Sequence, residues 1–113
     1  MNPAELCKYL ADETRLRCVA LIEEHGELCV CELTHAADEI QPKISRHLAQ
    51  LRSGEVLADE RRGQWIYYRL HPQLPDWARQ IIALAAQAWR TQTSARQDRK
   101  RLQKMPNRPE RCC

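Results

Sequence analysis

The sequence has 113 residues, the length of one ordinary domain, and a net charge of +3. Phenylalanine is absent and aromatic residues make up 5%, so the core must be mainly aliphatic, and we expect dimerisation to bury further surface. No apolar run is long enough to span a bilayer, and the start lacks the basic and apolar regions of a signal peptide, which predicts a cytoplasmic protein. Six cysteines in that reducing compartment indicate metal, redox or core roles rather than a disulfide framework.

The charge is divided unevenly along the chain. Residues 1–40 carry three basic and nine acidic side chains, a net charge of −6. Residues 41–71 have a net charge of +3, and residues 90–113 have a net charge of +6. An acidic front followed by a basic middle and tail is typical of a protein with a polyanionic partner.

Local signals divide the front of the chain into short helices. Pro3 suits the first turn of one helix, and Asp12 is the expected N-cap of a second helix that ends at Gly26. A brief extended segment is then expected, followed by a short helix from about Val30. The next helix begins at Gln41-Pro42, because proline disfavours helical backbone at the residue before it.

The helices predicted at residues 30–37 and 42–52, joined by a tight turn, form a candidate helix-turn-helix. Ile44, Leu48 and Leu51 fall on one face of the second helix, which Gly54 is expected to end. The opposite face is basic or hydrogen-bonding, as a helix inserted into the major groove requires. The predicted DNA-contacting residues of this helix are Gln41, Lys43, Ser45, Arg46, His47 and Gln50.

A β-hairpin is predicted directly after this helix, with strands at residues 56–61 and 64–70 and a turn at Arg62-Gly63. Arg61 and Arg62 would lie at its tip and follow the neighbouring minor groove as a wing. The order of the elements, together with the charge, predicts a mainly α winged helix-turn-helix that binds double-stranded DNA.

A linker at residues 71–75 leads to one long helix from about Asp76, expected to fray between Thr93 and Leu102. The first and last helices have apolar stripes larger than one small domain needs, so we predict a homodimer that holds two recognition helices about 34 Å apart. The predicted interface residues are Leu6, Leu10, Trp77, Ile81, Leu84 and Trp89. Residues 1–103 would form the DNA-binding and dimerisation domain, and residues 104–113 a flexible tail.

Two cysteines, Cys29 and Cys31, flank Val30 at the entrance to the first helix of the helix-turn-helix. Thiols at positions i and i+2 converge only where the backbone is not regular helix. A thiophilic ion that binds both would distort the helix start, and the recognition helix packed against it would feel that distortion. The dipoles of nearby helix N-termini are expected to lower the pKa of the two thiols.

Four sequence blocks resemble one known family, the ArsR-type arsenical-resistance repressors. They are residues 12–17 (DETRLR), 27–33 (ELCVCEL), 41–48 (QPKISRHL) and 63–70 (GQWIYYRL), and the resemblance covers about residues 4–92. It implies a winged-helix homodimer that binds the operator of an arsenic-resistance operon. It also implies release of the DNA when arsenite or antimonite, As(III) or Sb(III), binds Cys29 and Cys31, with no organic cofactor.

The sequence departs from the family pattern at one position. Many such repressors have a third cysteine three residues after the second, where this chain has Thr34. Trivalent arsenic prefers three sulfurs, so a third ligand has to come from elsewhere or be absent. A small external thiol is one source, and the candidates within the chain are Cys7, Cys18, Cys112 and Cys113.

Two other functions are compatible with these residues. The same repressor could respond to cadmium, lead or zinc, or to oxidation of Cys29 and Cys31. A small thiol enzyme, such as an arsenate or disulfide reductase, is the alternative from another class. The sequence has neither a Cys-x-x-Cys within a βαβ pattern nor a phosphate-cradling loop, so we predict that the protein is not an enzyme.

Overall fold

The computed structural model describes residues 1–108. Six helices and three strands follow one another within these residues. They are α1 (Pro3–Leu10), α2 (Glu13–His25), β1 (Glu27–Cys29), α3 (Val30–Ala37), α4 (Gln41–Ser53), β2 (Leu57–Arg62), β3 (Trp65–Leu70), α5 (Asp76–Trp89) and α6 (Thr93–Gln103). None of the described helices has the length and apolarity needed to cross a bilayer.

The predicted starts of the first helices are confirmed. Pro3 is the first residue of α1. The Asp12 carboxylate accepts a hydrogen bond from the Arg15 backbone N–H at 3.1 Å, which caps α2. Gly26, with a φ of 87°, ends α2 as expected. These contacts are local in sequence, which is why the residue pattern is sufficient to predict them.

The end of α4 differs from the prediction in its physical cause. Gly54 has a φ of −83°, which any residue adopts, whereas Glu55 has the left-handed φ of 60°. The Glu55 N–H donates to the Arg52 carbonyl at 3.0 Å and the Val56 N–H donates to the Leu51 carbonyl at 2.9 Å. This is a Schellman motif with glutamate in the usual glycine position.

The three strands form one antiparallel sheet in the order β1-β3-β2. Within the hairpin, Arg62 pairs with Trp65, so the turn is Gly63-Gln64, one residue later than predicted. The short extended segment before α3 is a strand, and its last residue, Cys29, pairs with Tyr67 of β3. The cysteine segment is therefore bonded directly to the sheet that carries the wing.

The single long last helix predicted from Asp76 is wrong, because the chain forms two helices, α5 and α6, that are separated by residues 90–92. The break turns α6 back onto α2 and α3. Asp98 of α6 is buried there against the Arg17 guanidinium, and Arg101 donates to the Ala36 carbonyl of α3 at 2.8 Å. A helix that continued straight from α5 would not bring these groups together.

The core lies between α2, α4, the sheet and α5, and it includes Ile22, Leu48 and Ile82, each fully buried. The predicted interface residue Leu6 is also fully buried in the core of its own chain, so it offers no surface to a partner. Leu84 is 67% exposed. The remaining predicted interface residues are partly buried, namely Leu10, Trp77, Ile81 and Trp89.

Candidate functional site

The two cysteine sulfurs converge where β1 passes into α3. Cys29 Sγ lies 2.7 Å from Cys31 Sγ, and both cysteines are free. Cys29 is the N-cap of α3 with an extended backbone (φ −86°, ψ 165°), whereas Cys31 is already in the first helical turn. This change of backbone conformation between them points the thiols the same way, as the i, i+2 spacing required.

A buried carboxylate fixes this segment. Glu32 Oε1 accepts a hydrogen bond from the Cys29 backbone N–H at 2.9 Å, and Glu32 is fully buried. Its Oε2 accepts from Arg108 Nε at 2.8 Å and Nη2 at 2.7 Å. Sequence reasoning missed Glu32, although Cys-x-x-Glu has the spacing of a capping box with cysteine in place of serine or threonine.

The expected lowering of the thiol pKa does not hold for Cys29. Burial, followed by the contact with the Cys31 thiol, raises the pKa of Cys29 above its ordinary value. The adjacent Glu32 carboxylate acts in the same direction. Loss of hydration therefore outweighs the helix N-terminus at this position, and the resting Cys29 is a neutral thiol at neutral pH.

No third ligand stands beside the pair within residues 1–108, where no group of three Cys, His, Asp or Glu side chains is arranged to hold a metal ion. Cys18 is fully buried in the core, where burial raises the pKa of its thiol to about 12. Cys7 is exposed on α1. The Thr34 hydroxyl donates to the Val30 carbonyl at 2.8 Å. The candidates Cys112 and Cys113 lie outside the described residues.

A cleft of about 380 Å³ opens the pair to solvent on the Cys31 side. Thr34 of α3, Gln41 of α4, Arg101 of α6 and Met105 line it together with Cys31. A small solute can therefore approach the sulfurs from a cleft that also reaches the first residue of the predicted recognition helix.

The outer face of that helix, α4, exposes Gln41, Arg46 and Gln50. Lys43 is half-buried and bonds Glu39 at 2.9 Å, and Ser45 is also half-buried. These five residues remain DNA-contact predictions.

The predicted outward position of His47 is wrong, because its side chain is 12% exposed and turns towards α2. His47 Nδ1 lies 3.5 Å from Arg15 Nη1, and Nε2 lies 4.0 Å from Asp12 Oδ1. Gln50 Oε1 accepts from the same Arg15 nitrogen at 3.1 Å. Arg15 therefore links the recognition helix to the start of α2.

The two predicted wing arginines differ in their surroundings. Arg61 is exposed, and its Nε donates to the Gly63 carbonyl at 3.1 Å. Arg62 instead bonds Glu27 of β1 at 2.8 Å and Glu60 at 3.2 Å, and its guanidinium lies 4.6 Å from the centre of the Tyr67 ring. Arg61 is the better placed to meet DNA, whereas Arg62 ties the wing to the strand that precedes the cysteines.

Comparison with known proteins gives consistent results. Residues 12–56 match the family described as "Bacterial regulatory protein, arsR family". The chain is 50% identical to the arsenic resistance transcriptional regulator ArsR2 of Pseudomonas putida, over 100% of this chain and 99% of that protein. It is 56% identical to the arsenical resistance operon repressor of Escherichia coli, over 78% of this chain and 73% of that protein.

Among solved structures, the AntR antimony-specific transcriptional repressor matches with a TM-score of 0.65 and 27% identity, over 78% of this chain and 77% of that chain. The transcriptional repressor BigR from Xylella fastidiosa matches with a TM-score of 0.62 and 31% identity, over 78% and 82%. The relatives and the winged helix-turn-helix are those of DNA-binding transcriptional repressors rather than enzymes. The chain belongs to the ArsR family of bacterial regulatory proteins.

Proposed function

We propose that this protein is a metalloid-responsive transcriptional repressor of an arsenic-resistance operon. It acts in the cytoplasm as a homodimer, binds operator DNA through α4 and the wing, and releases it when As(III) or Sb(III) binds Cys29 and Cys31. The names of its relatives support this function, since they include arsenic resistance regulators and an antimony-specific repressor. The observation that carries the proposal is the 2.7 Å separation of two free thiols at the first turn of α3.

Capture of the metalloid is a condensation. Arsenous acid, As(OH)₃, exchanges two As–O bonds for As–S bonds to Cys29 and Cys31, and each thiol proton leaves with a hydroxide as water. Arsenic stays trivalent, so no oxidant or reductant is needed. Neutral thiols suit this reaction because each proton has a leaving hydroxide to combine with. Antimonous acid follows the same exchange.

Two routes connect the captured ion to the DNA-binding elements. Cys31 lies in the first turn of α3, the helix that precedes and packs against α4. Cys29 pairs with Tyr67 of β3, the central strand of the wing sheet. Sulfur–metal bonds in protein sites are about 2.3 Å long for zinc, so an ion of that size between the sulfurs requires them to separate. That separation disturbs the start of α3 and the edge of the wing sheet together.

The function is tested by operator binding of Cys29→Ser and Cys31→Ser, with Cys7→Ser as the matched control because Cys7 is exposed on α1. We expect all three variants to bind operator DNA like the wild type. Only Cys7→Ser should release it on addition of arsenite or antimonite. Release by Cys29→Ser at wild-type arsenite concentrations would exclude the cysteine pair as the sensor.

The closeness of the sulfurs also suits the alternative signals, a divalent soft metal or oxidation to a disulfide. These differ in protons. Binding of Cd²⁺, Pb²⁺ or Zn²⁺ to two thiols releases protons to solvent, whereas condensation with arsenous acid consumes them as water. Calorimetry in buffers of different ionisation enthalpy therefore separates the two classes, and peroxide in a metal-free sample tests oxidation. Release by peroxide alone would replace the metalloid with a redox signal.

A further inference from the structure

We infer that Cys112 or Cys113 supplies the third sulfur of the metalloid site, and that the Glu32–Arg108 ion pair delivers it. This inference rests on the proposed function and names the ligand that the cysteine pair lacks. The pair offers two sulfurs, Thr34 occupies the position of the family's third cysteine, and no described side chain completes a three-ligand group.

The ion pair joins the end of the chain to the cysteine segment. One oxygen of Glu32 holds the Cys29 backbone N–H, and the other oxygen accepts both bonds from Arg108. The Glu32 side chain is 0% exposed and that of Arg108 is 18% exposed. Charge-assisted contacts out of water hold more firmly than surface ion pairs, so Arg108 is an anchor and not a passing contact.

The remaining distance is short. Cys112 follows Arg108 by four residues, and four residues span at most about 14 Å when extended. Arg108 touches a carboxylate that is itself bonded to the Cys29 backbone, so the tether starts one arginine side chain from the cysteine segment. Met105 lines the cleft that opens onto Cys31, which places the approach of the chain on the accessible side of the pair.

The other cysteines are poorly placed. Cys18 is fully buried in the core. Cys7 is exposed on α1, whose helical partner is α2 rather than α3. A thiol tethered beside the pair acts at an effective concentration in the millimolar range, which a small external thiol has to match. The third exchange follows the first two, since the last As–O bond is replaced by an As–S bond and the thiol proton leaves as water.

X-ray absorption of arsenic bound to the full chain, reduced with a phosphine so that no external thiol competes, counts the sulfurs. We expect three sulfurs in the wild type and in Cys7→Ser, and two sulfurs in the Cys112→Ser/Cys113→Ser double variant. The single variants identify which cysteine is used. Three sulfurs in the double variant would overturn the inference. Arsenic without any Cys29 or Cys31 sulfur in the wild type would instead overturn the proposed function, so the two failures are distinguishable.

The anchor has its own test. Arg108→Ala should weaken arsenite binding by about tenfold or more, because the tether loses its starting point. Arg96→Ala, which removes an exposed arginine of α6, should leave it unchanged. Operator affinity without arsenite serves as the folding check for both. If Arg108→Ala does not fold, the sulfur count in the double cysteine variant decides alone. Equal arsenite affinity in a folded Arg108→Ala and the wild type would remove Arg108 from the mechanism.

Discussion

Asp98 of α6 holds the Arg17 guanidinium of α2 through both carboxylate oxygens, with 2.8 Å between Oδ2 and Nε. Its Oδ1 also accepts from Arg101 at 2.8 Å, and the Asp98 side chain is 2% exposed. Because one carboxylate satisfies two guanidinium groups out of water, its removal leaves buried charge without compensation. We predict that Asp98→Ala lowers the free energy of unfolding by about 3 kcal/mol.

Glu13 provides the matched control, because it contacts the same Arg17 at 3.8 Å but its side chain is 67% exposed. Solvent screens such a pair, so Glu13→Ala should cost about 0.5 kcal/mol or less. Urea denaturation of both variants measures the difference. Equal losses in the two variants would show that burial gives the Asp98 pair no special weight.

The same ion pair explains where sequence reasoning failed. The caps at Asp12 and Gln41-Pro42 depend on residues a few positions apart, so the local pattern contains them. The break between α5 and α6 has neither proline nor glycine at residues 90–92. What favours it is the partnership of Arg17 with Asp98, 81 residues apart in sequence. A pattern with a helical period has no information about such a partner.

His47 shows the same limit within the candidate site. Its position on α4 predicts an outward side chain, yet Arg15 and Asp12 of the preceding helix draw it inward. The cysteine pair was predictable, since its convergence follows from a change of backbone at the start of α3. The Glu32–Arg108 pair was not, because it joins residues 76 positions apart.

Gly54 and Glu55 have complementary roles at the end of α4. The Tyr9 ring occupies the space into which a Cβ at Gly54 would project, so we expect Gly54→Ala to cost about 1–3 kcal/mol through overpacking. Glu55 has a left-handed φ of 60°. Glu55→Gly should therefore stabilise the fold by about 0.5–1 kcal/mol, after the larger entropy of glycine in the unfolded chain is deducted.

Thermal denaturation of the two variants tests this assignment. A Tyr9→Leu background should reduce the cost of Gly54→Ala, since the ring that collides with the new Cβ is gone. Stabilisation by Gly54→Ala, with destabilisation by Glu55→Gly, would mean that the left-handed position is misplaced by one residue.

Cys18 gives a pH dependence with a definite sign. Burial raises its pKa from 9.0 to about 12 in the folded chain. Between these values the unfolded chain releases the thiol proton while the folded chain keeps it, so stability falls as pH rises. The contribution is complete below about pH 9 and is lost towards pH 12. Cys18→Ala should remove up to about 1.4 kcal/mol per pH unit from that slope.

Urea denaturation at several pH values from 7 to 11 measures the two slopes. The alanine variant starts from a lower stability because it leaves a small cavity, but this offset is the same at every pH. Cys29 and Tyr68, whose pKa values are also raised, titrate in both proteins, so the difference between the slopes belongs to Cys18. Parallel curves would place Cys18 in contact with water.

Arg46 is the exposed basic residue in the middle of α4, and we predict that it meets a DNA phosphate or a guanine edge. Arg46→Ala should weaken operator binding without changing arsenite affinity. If it meets a phosphate, the slope of log affinity against log salt should fall by about 1. Arg52 is the control on the same helix, because its guanidinium is held by Asp59 at 3.1 Å and is less free to reach DNA. An unchanged affinity for Arg46→Ala at every salt concentration would place the DNA on another face of α4. A weakening confined to some operator sequences would instead assign Arg46 to a base, since phosphate contacts weaken binding to all sequences alike.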